Sequence, residues 1–205
     1  MLLGGQGTES VLAEKIEREH FLRLRNIRLT YLQSVNSTQS FTRDVLKSDC
    51  EGDLVISKVQ TAGMGREGRS WVSDKGGLWM TITLKPPDTQ VLGKVIYIAA
   101  SAVVRTLEEY GVKNCSIKLP NDVYCDGRKI AGLLADTVIQ GKDSKVYLGI
   151  GIDVNNDVAN EESISQIATS VASELGNEID LAEFAVSFLK SLDLQYDQEL
   201  RSHNL

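Results

Sequence analysis

Gln60-Thr61-Ala62-Gly63-Met64-Gly65-Arg66-Glu67-Gly68-Arg69-Ser70-Trp71 is the stretch on which the reading of this chain turns. Glycine occupies Gly63, Gly65 and Gly68, so ordering this backbone costs about 1–2 kcal/mol per residue and needs an offsetting contact. Arg66 and Arg69 offer one, because forked guanidinium donors and amides that no Cβ shields suit a phosphate or a carboxylate. The other reading is a solvated surface loop, and the flanking sequence has to decide between the two.

Apolar pattern brackets the loop. Upstream, Leu54-Val55-Ile56 reads as a short buried strand. Downstream of Gly76-Gly77, Leu78, Met80, Ile82 and Leu84 alternate with Trp79, Thr81 and Thr83, as in a strand with one face buried. Further upstream, a strand over Leu29 to Val35 ends at Asn36 and Ser37, which can cap an amphipathic helix carrying Phe41, Val45 and Leu46. Ser37, Thr38 and Gln39 either start that helix or present hydroxyls and an amide to a polar ligand at its N-terminus. Residues 8–22 form a charged helix, with Val11, Leu12, Ile16 and His20 on one side, in a peripheral extension over residues 1–26. The domain proper is expected over residues 27–205.

Beyond Pro86-Pro87, apolar residues from Leu92 to Tyr110 recur at helical spacing until Gly111, marking a core helix. Ile117 to Val123 runs from a strand into a proline turn that leaves Lys118 and Asn121 at its rim. Asp126-Gly127 signals a two-residue hairpin that projects Lys129. Val146, Leu148, Ile150, Ile152 and Val154 then alternate with Tyr147, Gly149, Gly151 and Asp153, so one strand face is almost bare: a floor for a ring system, or a site of tight packing. Two helical segments close the chain. One runs from Ile167 to Leu175 and stops at Gly176; the other starts with an Asp180/Glu183 capping box and buries Leu181, Phe184, Ala185, Phe188, Leu189, Leu192 and Tyr196.

Composition narrows the chemistry. A chain of 205 residues that is 42% hydrophobic and 24% charged supports a full core, and its net charge of −6 argues against a general grip on nucleic acid. No stretch has the length and basic helix of a helix-turn-helix module. With no run of 18 apolar residues, and Met1-Leu2-Leu3-Gly4-Gly5 unlike a signal peptide, a cytoplasmic protein without a membrane partner is expected. Cys50, Cys115 and Cys125 are odd in number and widely spaced, as reduced thiols would be, and His20 and His203 near the termini make histidine catalysis improbable. A cationic glycine loop, two lysines beside turns and a bare floor together suit adenylation. There a carboxylate attacks the α-phosphate of ATP, and fixed positive groups stabilise the phosphoryl charge without acid–base machinery.

At this point the chain resembles the biotin protein ligases, over roughly residues 27–200. Gln60 to Trp71 resembles that family's biotinyl-adenylate loop, Lys118 to Tyr124 its lysine–tryptophan–proline–asparagine–aspartate motif, and Lys129-Ile130-Ala131-Gly132-Leu133-Leu134 the strand bearing its catalytic lysine. Ser37-Thr38 and Gly149 to Asn155 fall in the family's order as well. The resemblance implies an α+β fold: a mixed, largely antiparallel sheet flanked by helices, like class II aminoacyl-tRNA synthetases. It implies an ATP-dependent biotin–[biotin carboxyl carrier protein] ligase that uses ATP, biotin and Mg2+ and modifies a lysine on a carrier protein or domain. A homodimer is left open. In that reading Ser37, Thr38, Gln39, Gln60, Met64, Gly65, Arg66, Lys129 and Gly132 bind biotin. Arg66, Arg69, Trp71, Lys118, Asn121, Lys129 and Asp153 bind ATP or the adenylate, and Lys129, Arg66 and Lys118 are catalytic. No resident metal site is implied. Met64 stands where that family usually has an arginine, Leu119 a tryptophan and Asp153 an asparagine, and the small barrel that often follows its catalytic domain is not expected here. Rival readings are a lipoate or octanoate ligase, whose own glycine motif the loop does not supply, and a non-catalytic biotin or adenylate binder.

Overall fold

The computed structural model describes residues 8–140, 143–161 and 163–202, so the start of the chain at Met1–Gly5 and His203 lie outside the described residues. Among the described residues, seven strands form one sheet: β1 (Arg28–Leu32), β2 (Asp53–Ser57), β3 (Leu78–Leu84), β4 (Cys115–Lys118), β5 (Asp122–Cys125), β6 (Arg128–Gln140) and β7 (Asp143–Ile152). Their order is β1-β2-β3-β7-β6-β5-β4, with β1 parallel to β2 and every other neighbouring pair antiparallel. The helices are α1 (Thr8–Arg18), α2 (Thr38–Ser40), α3 (Thr89–Glu109), α4 (Val171–Leu175) and α5 (Leu181–Ser202).

Every residue of β3 is buried, although its alternation predicts one wet face. The strand is central: Leu78, Met80, Ile82 and Leu84 join the apolar cluster that includes α3, while Thr81 on the other face meets α2. The helices form a layer of their own, with α3 packed along α5 and the rings of Tyr110 and Phe184 edge to face at 5.0 Å. By length and composition α3 could span a bilayer, yet half of that stretch is buried within the fold.

Three further expectations change. The segment after α2 widens into a π-turn over Phe41–Val45, closed by Leu46 N–H donating to Phe41 O at 2.8 Å. The wider turn shifts the register, so Thr42 points inward while Val45 and Leu46 are exposed. The last short helix begins at Val171 and not near Ile167, because Lys129 N–H donates to Ile167 O and Thr169 N–H donates to Lys129 O, which holds that segment extended beside β6. Cys115 and Cys125 are a disulfide and not reduced thiols, since the β4–β5 register sets them directly opposite; Cys50 is free and exposed. The Asp126-Gly127 turn is as read, with both residues at positive φ (47° and 77°), as a two-residue hairpin requires.

The N-terminal helix is anchored, with Leu12 and Ile16 buried in the core cluster. Behind it, Asp193 of α5, itself buried, accepts the backbone N–H groups of Leu22, Arg23 and Leu24 at 2.5–2.9 Å. Removing that carboxylate leaves several amides without an acceptor. Asp193→Ala should therefore lower the unfolding free energy by about 3 kcal/mol, seen as a lower urea midpoint at an unchanged m-value.

Candidate functional site

A cleft of about 690 Å3 opens where α2, the Gln60–Trp71 loop and strands β5, β6 and β7 meet. One wall is a polar network. Ser37 caps α2 through its hydroxyl, and both the N–H and the hydroxyl of Thr38 donate to Gln60 Oε1 at 2.8 and 3.0 Å. Gln60 Nε2 donates to Ser73 Oγ, Gln39 Nε2 donates to Tyr147 O, and Thr81 Oγ1 donates to Thr38 Oγ1 at 2.9 Å. Ser37, Thr38 and Gln39 are buried, so these bonds fix the amide and hydroxyl positions before any ligand arrives.

The floor is made of glycine. Gly132 of β6 and Gly151 of β7 are register partners, with Gly149 two residues along. A Cβ on Gly151 would lie 2.7 Å from Trp71 Nε1, one on Gly132 2.9 Å from Trp71 Cζ3, and one on Gly149 2.6 Å from Gln39 Oε1. Both uses foreseen for a bare face are thus present: the ring on the floor is the protein's own Trp71, packed tightly. Its indole Nε1 is buried without a hydrogen-bond partner.

Cations converge beside that ring. Lys129 Nζ lies 4.9 Å from the Trp71 ring centroid and 2.7 Å from Asp122 Oδ1. The Asp122 contact is an ion pair without hydrogen-bond alignment, as that oxygen accepts no hydrogen bond. Arg66 Nη1 donates to Asn121 Oδ1 at 3.2 Å, and Asn121 Nδ2 donates to Leu133 O. The loop is a small hairpin in which Met64 pairs with Ser70 and Gly65 N–H donates to Arg69 O. Met64 lines the cleft with its sulfur accepting from Ser40 Oγ, and Arg69 bonds back to Arg66 O, so one of the two arginines holds the loop in shape.

Two expected site residues lie outside this cleft. Lys118 is exposed at the sheet edge and does not line the cleft, although its register opposite Asp122 sets it on the cleft's face of the sheet, 4.6 Å over the Tyr124 ring. Asp153 borders a second cavity of about 860 Å3, shared with Trp71, Lys129, Tyr124, Ile164 and Ile167. Burial pushes its carboxyl up to about 7, against the opposing pull of an Asn156 hydrogen bond and the Lys129 charge. Sequence reasoning missed Thr81 and Asp122 as members of the site. Thr81 was hidden in an ordinary alternation, and Asp122 gains its place beside Lys129 only through the β5–β6 pairing.

The arrangement is a shared one. Residues 31–153 match the model of the biotin/lipoate A/B protein ligase family. The chain belongs to that family. Bifunctional ligase/repressor BirA of Bacillus subtilis is 36% identical over 177 residues, 82% of this chain and 53% of the relative. Biotin–[acetyl-CoA-carboxylase] ligase of Paracoccus denitrificans is 32% identical over 136 residues, 63% of this chain and 57% of the relative. The chain spans about half the length of the curated relatives it matches. Among solved structures, biotin protein ligase from Aquifex aeolicus in complex with biotin and ATP superposes with a TM-score of 0.73 at 31% identity, covering 83% of this chain and 71% of that one. The chain has the class II aminoacyl-tRNA synthetase-like fold of these neighbours, as the resemblance implied.

Asp153 supplies a check on this geometry. A carboxyl whose folded-state value is raised binds its proton more tightly in the native state than in the unfolded chain, where it titrates near 4. Its contribution to stability is therefore present at low pH and lost as pH rises from about 4 to about 7. Asp153→Asn should remove that fall, so urea midpoints of the two proteins should diverge across this window in favour of the variant.

Proposed function

We propose that this ligase domain forms biotinyl-5'-AMP from biotin and ATP and passes the biotinyl group to a lysine of a biotin carboxyl carrier protein or domain. The observation that carries the reading is the position of Lys129, which lines both cavities at the wall between them. A carboxylate entering from the glycine-floored cleft and a nucleotide entering from the second cavity meet at its ammonium. There the carboxylate oxygen attacks the α-phosphorus, the bond to pyrophosphate breaks, and Lys129 with Arg66 offsets the charge gathering on the phosphoryl oxygens. A carrier amine then attacks the acyl carbon and AMP leaves. Ser37, Thr38, Gln39 and Gln60 fit the polar ring of biotin, and Trp71 separates it from the base. Lys118, on the same sheet face and over the Tyr124 ring that lines the second cavity, stands at the nucleotide's edge.

Magnesium fits this reading as a companion of ATP. Among the described residues no cluster of three or more His, Cys, Asp or Glu could hold a resident metal. One carboxylate beside the phosphate path, Asp122, is what a phosphate-held Mg2+ needs, and the ion would neutralise phosphate charge. The remaining parts of the proposal are residues 27–205 as the catalytic unit, a cytoplasmic setting, and Met64 and Asp153 as tolerated departures.

Lys129→Ala should lower biotin-dependent pyrophosphate release by about 10²–10³-fold with little change in biotin affinity. Unchanged release would remove Lys129 from the reaction. Transfer to a carrier domain with lipoate and octanoate as competitors tests the acid: biotin should win. Trypsin provides a separate readout of the loop, because cleavage after Arg66 or Arg69 should slow when biotin and ATP are both present and the glycine backbone is held.

A further inference from the structure

Ser73 lines neither cavity, yet it is buried and its hydroxyl is bonded on both sides. The surrounding bonds fix the direction of each proton. Thr38 N–H donates to the Gln60 amide at 2.8 Å, and an N–H cannot accept, so the amide atom facing Thr38 is Oε1. Nε2 therefore faces Ser73 Oγ and donates to it at 2.8 Å, which leaves the Ser73 hydrogen to donate to Trp71 O at 3.2 Å. Gln60 lines the cleft and Trp71 lines both spaces, so a single hydroxyl ties the polar wall to the residue that divides them. The neck of the loop closes without that hydroxyl. Gln60 N–H donates to Ser73 O at 3.0 Å and Trp71 N–H to Gly63 O at 2.8 Å, bonds that any residue at position 73 with the same backbone would keep. What the side chain adds is the setting of an amide.

We infer that Ser73 is a positioning residue for acid specificity: without touching the acid, its hydroxyl holds the Gln60 amide in the orientation that meets the polar atoms of the acid's ring. The inference rests on the biotin reading above and deepens it. Gln60 Oε1 is shared between the N–H and the hydroxyl of Thr38, and of the two hydrogens on Nε2 one is spent on Ser73. The other has no partner among the described residues and is the donor left for a ligand. Anchored at both ends, the amide keeps that donor in one direction. Anchored at Oε1 alone, it turns about its terminal torsion, which is intrinsically soft, and the cleft loses a preset group. An acid that ends in a bare alkyl chain has no polar atom to meet this donor. The loss therefore falls on acids with a polar ring and spares the others.

The probes are biotin and octanoate, the second being an acid without a ring. In pyrophosphate exchange, Ser73→Ala should raise KM for biotin about fivefold at a kcat within about twofold of the unaltered protein, and inhibition by octanoate should stay as it was. Ser73→Thr, which keeps a hydroxyl, should bring KM back to within about twofold. In a Gln60→Ala background Ser73→Ala should add nothing, because the amide it positions is gone. An unchanged biotin KM, an equal rise in the Gln60→Ala background, or an equal weakening of biotin and octanoate would overturn the inference. If Ser73→Ala does not fold, Ser73→Cys, whose thiol is a weak acceptor, takes its place with the same expected split between KM and kcat. Exchange by the unaltered protein keeps the two readings apart: exchange that Ser73→Ala leaves untouched defeats only the role of Ser73, whereas absence of exchange defeats the ligase reading and this one with it.

Discussion

Trp71 can lie on the sheet only because Gly132 and Gly151 have no side chains. A single methyl at either position would enter the indole, and both cavities are defined by where that ring rests. With the ring on the floor, Lys129 is held against its face and beside Asp122, at the one wall common to both spaces. The antiparallel β6–β7 register makes this work by placing the two glycines opposite each other. A one-residue slip would replace them with Leu133 or Ile150 and fill the floor.

The loop and the polar wall depend on that same seat. The Trp71 N–H donates to Gly63 O, where a Cβ would collide with Trp71 O at 2.3 Å, so the chain enters and leaves the loop at one fixed point. Gln60, at the loop's start, is fixed by Thr38 on one side and Ser73 on the other. Preorganisation of this kind matters for adenylation because donors already in place need not reorganise as phosphoryl charge develops. The exposed end of the loop is tied by contacts within itself, the Arg69–Glu67 ion pair and the Arg69 bond to Arg66 O, a form suited to closing over a ligand.

Much of this was legible because local rules and global fold agree. The Asp126-Gly127 hairpin, the Ser37 cap, the Gly176 stop and the core stripe of α5 rest on turn chemistry or helical spacing, which a few neighbouring residues determine. The glycine loop, the lysine-bearing strand and the glycine face were visible as types. Where reading failed, a distant partner had intervened. The π-turn turned Val45 outward, pairing with Lys129 kept residues 167–169 from becoming helix, and the β4–β5 register joined two cysteines that looked unrelated.

By itself the sequence determined which groups were available: flexible backbone with two arginines, a lysine behind a hairpin, a strand face without side chains, and an acid where an amide is usual. These follow from residue identity and spacing over a few positions. The tertiary structure alone decided which of them meet. It set Trp71 on the glycines, brought Asp122 to Lys129, left Lys118 at the sheet edge over Tyr124, and sank Asp153 beside a second cavity. Those outcomes depend on strand register and on the order in which strands far apart in the chain come together. No local window of sequence carries that information.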